Sequence, residues 1–339
     1  MTQPADQPPL LPPDATTAGH ARGASWMVGG LFRYDAHLLT LVNFLATYYP
    51  ARAVGRVAGV PPCAWTLEQR GRLRPIVELW RYEAVLRSFA EARAGVVAVF
   101  DNPSPEPSSF DDPYAHELVR RLLMPEFNPT QRNAVCVACD ALAAHLRELY
   151  PRLTIICHPN RLIVGAEKRT PEFYETLEKK YSLIILHPRD AVQATVFGGL
   201  KHVGRYMAVL NDPTPRNTPT RRDRLRVLAE LHRRPWDSSL HRSLVRMDQQ
   251  SAGGVGSPTC NLAQDEEAAL YAAGIRAFVI QSSLLRNELT LWYDMLYHML
   301  RTTPELTNKA ALIASAALAY IRPEEDDIPT GLSLFSTFD

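Results

Sequence analysis

Two stretches of the chain, IICHPNR (155–161) and IILHPRD (184–190), end short apolar runs in the same way, with histidine and then proline. A run of four or five β-branched or apolar residues reads as a strand, and proline, which has no N–H to give, stops it. Thr170-Pro171 lies between them and opens a helix over 171–180, with threonine at the cap and proline at the first turn. The middle of the chain is therefore strand, helix, strand, and any fold it adopts has to hold that unit.

Around this unit helical patterns dominate. They are expected at 34–49, through Trp80 to Phe89, at 113–123, and from Asn128-Pro129 to Tyr150, where Pro151 stops the helix. Further helices are expected at 190–209, 220–233, 236–249, 263–301 with a break near Gly274, and 304–321. Strands are expected near 96–100 (VVAVF), 153–164 and 182–186. The fold class that follows is predominantly α-helical with a small α/β element in the middle. Residues 1–24 read as a disordered proline-rich tail. Residues 25–321 read as one large, mostly helical domain, with 190 as the place where it would divide. Residues 322–339 read as an acidic and aromatic tail.

Composition narrows the function classes. With 339 residues, 46% hydrophobic, the chain can bury a sizeable core. A formal net charge of +1 excludes a whole-protein basic field, so any nucleic-acid contact has to be local. Five cysteines, an odd number, do not suggest a disulfide framework and point to a reducing compartment. No run is long and apolar enough to span a membrane, and the start MTQPADQPPLLPPD is not expected to be a signal peptide.

Several groups carry candidate chemistry. His158, His187 and Asp190 have the side chains for proton transfer, with Arg189 to hold an anion, provided the two strands are neighbours. The other reading of the two His-Pro runs is a pair of matching strand ends, and the sequence favours it. Cys136 and Cys139 have the spacing of a metal pair. In a helix over 129–150 they would share a buried face with Leu142 and Leu146, and no metal or cofactor is expected. Arg221, Arg222, Arg224, Arg226, Arg233 and Arg234 make a local basic stretch suited to RNA or another anion, or else a solvated helix face. Trp292, Tyr293 and Tyr297, with Leu334, Phe335 and Phe338 of the C-terminal tail, are candidates for an interface with another copy.

The common catalytic signatures GxGxxG, GxxxxGK[ST], HExxH and GxSxG do not occur. The leader MTQPADQPPLLPPD and the helical body ending in AALIASAALAYIR resemble the layout of partitivirus-like double-stranded RNA virus coat proteins. That resemblance implies a mostly α-helical subunit that dimerises, assembles into a shell in the virion or host cytoplasm, and encloses RNA. The sequence-level expectation is thus a self-assembling capsid-like protein. Its alternatives are an enzyme with a His/Asp/Arg site at two strand ends, or a helical adaptor.

Overall fold

The computed structural model describes residues 24–48, 54–67, 79–165, 168–212, 220–234, 237–251 and 260–281. The elements alternate. They run β1 (Ser25–Gly29), α1 (Leu31–Tyr48), β2 (Val54–Gly59), α2 (Leu79–Glu91), β3 (Gly95–Phe100), α3 (Pro113–Leu123), β4 (Ala134–Val137), α4 (Asp140–Leu149) and β5 (Thr154–Cys157). Then come α5 (Pro159–Val164), α6 (Pro171–Glu178), β6 (Leu183–Ile185), α7 (Ala194–Phe197), β7 (Tyr206–Val209) and β8 (Asn211–Asp212). The described part ends with α8 (Thr220–Arg233), α9 (Ser238–Ser251), β9 (Cys260–Asn261), α10 (Gln264–Ala272) and β10 (Ala277–Ile280).

Eight strands close into a barrel in the order β1-β10-β7-β6-β5-β4-β3-β2. All eight pairings are parallel. The strands are apolar on both faces because both are covered. Met27, Ala58, Val97, Val99, Ala134, Cys136, Ile156, Ile185, Met207, Val209 and Val279 plug the interior. The alternate residues, such as Val96, Ala98 and Phe100 of β3 or Ile155 and Cys157 of β5, pack outward under the helices. This is the (β/α)8 barrel. Fully burying a large apolar side chain contributes about 1.5–3 kcal/mol, so two continuous layers of them dominate its stability. At the lower rim a Cβ on Gly95 would stand 2.7 Å from the Arg132 carbonyl oxygen, so only glycine fits there.

One insertion departs from the repeat. Between β7 and β10, a two-stranded antiparallel stem of β8 and β9 carries the hairpin α8–α9. Leu225 and Leu228 of α8 pack with Leu67, after β2, and Ile163 of α5. Those partners follow strands three places apart in the barrel, so α8 bridges across the C-terminal side.

The expectation of a predominantly helical chain with a small α/β element is overturned by this barrel. Strands were expected in the right places at β3, β5 and β6, but 161–164 is the end of helix α5, not strand. The expected helix over 129–150 contains β4 and only then α4. The expected helix 190–209 holds two 3-10 turns, α7 and β7, and that over 263–301 gives way after α10 to β10, past Gly274 at φ 96°. Isolated four-residue buried strands lack the alternation that marks a half-exposed strand, and a helix period fits them equally well. The reading as a mostly helical, capsid-like structural protein falls with the helical fold. No helix among the described residues is long and apolar enough to cross a membrane. The terminal tails, the helix expected at 304–321 and the interface candidates Trp292, Tyr293, Tyr297, Leu334, Phe335 and Phe338 lie outside the described residues.

Candidate active site

In a barrel of this kind side chains that can meet a substrate stand at the C-terminal ends of the strands. The ladder continues there past the named strand ends. His158 N–H donates to Val137 O at 3.0 Å, Leu186 N–H to Met207 O at 2.8 Å, and Leu210 N–H to Val279 O at 2.9 Å. The in-out alternation therefore carries on by one step. Above inward Val99, Ile156, Ile185, Val209 and Val279 it sets Asp101, His158, His187, Asn211 and Gln281. An apolar plug is crowned by a ring of polar groups.

Strands β5 and β6 are neighbours, with Cys157 beside Ile184. The two His-Pro runs are both matching strand ends and adjacent ones. Their corners are built alike. Asn160 N–H donates to His158 Nδ1 at 3.1 Å, and Arg189 N–H donates to His187 Nδ1 at 3.1 Å. Proline at the next position gives no N–H, so the ring nitrogen takes the one after it. With Nδ1 accepting, each neutral ring carries its proton on Nε2. His158 caps α5 in this way and is half-buried, whereas His187 is buried.

Asp190 sits in a buried network behind His187. Its carboxylate accepts from Arg169 Nε and the Tyr174 hydroxyl, both at 2.7 Å, and is 3% exposed. Tyr174 in turn accepts from His187 N–H at 3.1 Å. Through Tyr174, Asp190 ties down the His187 corner, and Arg189 is half-buried beside it. The His158 corner is anchored by Asn160, whose Nδ2 donates to Asp101 O at 2.9 Å. Asp101 itself accepts from Leu67 N–H at 2.8 Å. Asn211 and Gln281 exchange two bonds, Asn211 Nδ2 to Gln281 O at 2.8 Å and Gln281 N–H to Asn211 Oδ1 at 2.7 Å, which closes the rim between β7 and β10.

Behind the mouth, Asp140 at the start of α4 accepts from Arg161 at 2.9 and 3.2 Å, Lys180 at 2.6 Å and Tyr181 at 2.8 Å. Burial works to raise this carboxyl, but the bonds from Arg161, Lys180 and Tyr181 outweigh it and hold it at about 2. Burial pushes the Cys136 and Cys157 thiols well up, which disfavours the thiolate in both. Cys136 points into the barrel and Cys139 packs outward, so the pair does not share a face. Of the candidate arginines on α8 and just after it, Arg226 reaches Asp223, Arg233 and Arg234 pair with Glu230, and Arg222 is exposed. Asp101, Asn160, Asn211 and Gln281 were missed in the sequence. For Asp101, Asn211 and Gln281 the signal was a polar residue directly after a buried apolar run; Asn160, two residues past His158, carried none.

No family model matches the chain, and no curated protein does. Among solved structures it is similar to one described as a U32 peptidase, at a TM-score of 0.47 and 12% identity. The match covers 78% of this chain and 94% of that one. The likeness is one of layout, and no residue role is carried over from it.

Proposed function

We propose that the chain is an enzyme that performs proton transfer on a small polar substrate held in the C-terminal mouth of the barrel. His158 and His187 are the acid–base groups, and Asp101, Asn211 and Gln281 form the polar rim. One observation carries the reading: polar residues follow the buried runs of β3, β5, β6, β7 and β10 at the inward position. Burying polar groups above an apolar plug costs stability unless they are well partnered, and a substrate repays it. The Nε2–H of each histidine is the donor, and the same nitrogen accepts a proton once that one is given. A positioned histidine contributes about a hundredfold or more to such a step. Helix α8 packs across the same side, which favours an enclosed site of low dielectric.

The test is a panel of 2-oxo acids, hydroxy acids, lactones and esters incubated with the protein in D2O and followed by proton NMR. Turnover or deuterium uptake by at least one member is expected, falling by about a hundredfold or more in both His158→Asn and His187→Asn. Turnover undiminished in both variants would place the chemistry elsewhere.

A further inference from the structure

Away from the mouth, three side chains converge between the β3–α3 connection and α4. Asp111 stands just before α3, His116 is in its first turns, and His145 is on α4. One donor atom from each lies within 4.8 Å of the other two. His145 Nε2 is buried and has no hydrogen-bond partner among the described residues. It sits 3.7 Å from Asp111 Oδ1, too far for a hydrogen bond. A buried ring nitrogen left unmatched beside a carboxylate is a group for which an ion is one of the ordinary explanations.

The spacing fits one. Imidazole and carboxylate ligands about 2.0–2.2 Å from a tetrahedral Zn2+ stand about 3.3–3.6 Å from each other. The observed 3.7 Å is nearly that edge, and the limit of 4.8 Å leaves about an ångström of closure for the set. Asp111 is 86% exposed and free to supply the movement. His116 is held on both sides, Nδ1 at 3.0 Å from the Tyr150 hydroxyl and Nε2 at 2.9 Å from Phe110 O. Metal binding exchanges one of these bonds and keeps the other, which then fixes the ring as outer-shell bonds to ligating histidines do.

We propose that Asp111, His116 and His145 bind a divalent transition-metal ion of the Zn2+ class, with water in the fourth position, and that the ion fastens the β3–α3 connection to α4. Two imidazoles and one carboxylate are borderline ligands, which favour such ions over Mg2+ or Ca2+. The connection it would fasten also holds the β2 loop. Trp65 Nε1 donates to Ser109 O at 2.7 Å, and Ala64 N–H to Asp112 Oδ2 at 2.9 Å. The site is thus coupled mechanically to the mouth without being part of it.

The test is calorimetric titration of the EDTA-stripped, desalted full chain with ZnCl2, beside thermal melts. One equivalent should bind, and at a hundredfold excess of free ion over Kd the melting temperature should rise by about 5 °C. His145→Gln, which keeps a good helix former, should abolish that equivalent, and Asp111→Asn, fully at the surface, should weaken it at least tenfold. If no equivalent binds, or if His145→Gln binds as the parent does, the proposal is overturned.

Discussion

The two His-Pro corners share a sequence pattern and a local geometry but are anchored differently. Both present a histidine whose Nδ1 accepts the N–H two residues on. The His187 corner is tied down by charge, through Asp190, Arg169 and the Tyr174 hydroxyl. The His158 corner is tied down by a neutral amide, Asn160 on Asp101 O, and by the more open Asp140 cluster behind it. The difference teaches that one chemical device can be held by supports of unequal strength. A buried ion pair is costly to break, because removal of one partner strands the other. A neutral hydrogen bond costs roughly what its partners lose on being left alone.

The largest effect expected from breaking that comparison is at Asp190. Alanine there removes the acceptor of both Arg169 Nε and the Tyr174 O–H. Loss of a fully buried pair costs about 3–5 kcal/mol, and the remaining exposure of Arg169 puts this one near the lower end, about 3 kcal/mol. The drop is read from the urea midpoint at unchanged slope. A loss under about 1 kcal/mol, the range of a surface pair, would mean that the carboxylate does not hold the corner.

Asp140 comes next, and its effect depends on pH. The folded carboxyl is held at about 2, below the unfolded value of about 3.9. A carboxylate depressed in this way contributes its stability above the unfolded value and loses it as pH falls from about 4 towards 2. The contribution is smaller than at Asp190 because Lys180 is half exposed and solvent screens it. Asp140→Asn should therefore be less stable than the parent at pH 7, with the gap closing by pH 2. A constant gap across that window would show that the charge is not what Arg161 responds to. Asn160→Ala should cost about 1–3 kcal/mol, since it removes one neutral donor from Asp101 O and leaves a buried acceptor unmade.

The same contrast runs through what the sequence could reveal. Helices were legible at 113–123, after Thr170-Pro171, and over the arginine-rich run of α8. So were β3, β5 and β6, which carry several β-branched residues. The strands SWMVG, VGRVAG, AVCV, YMAV and AFVI were not, for two physical reasons. A strand covered on both faces has no polar alternation, and a glycine such as Gly55 or Gly59 weakens the pattern further. Cys136 and Cys139, three apart, mimicked a helix face, although one closes a strand into the plug and the other begins the turn to α4. His158 and His187 were read as strand-end residues, and they do follow β5 and β6. Their adjacency was not legible, because strand pairing is decided by closure of the whole barrel. The bonds from Arg169 and Tyr174 to the Asp190 carboxylate were not legible either, because nothing local announces them.

The smallest effect on stability, and the sharpest on function, is expected at His158 itself. It caps α5 by accepting Asn160 N–H, and asparagine is among the best residues at such a position. His158→Asn keeps an acceptor at the cap and should change stability by a few tenths of a kcal/mol, whereas His158→Ala should cost about 1 kcal/mol. His187→Asn should cost more than His158→Asn, because His187 is buried and its replacement leaves space. A cap retained without an imidazole separates the two jobs of the residue. If turnover vanishes in His158→Asn while the melt is unchanged, the ring serves chemistry and the corner is scaffolding for it. If the protein loses as much stability with asparagine as with alanine, the ring itself is the structural part, and the repeated His-Pro pattern belongs to the closing of the barrel rather than to its mouth.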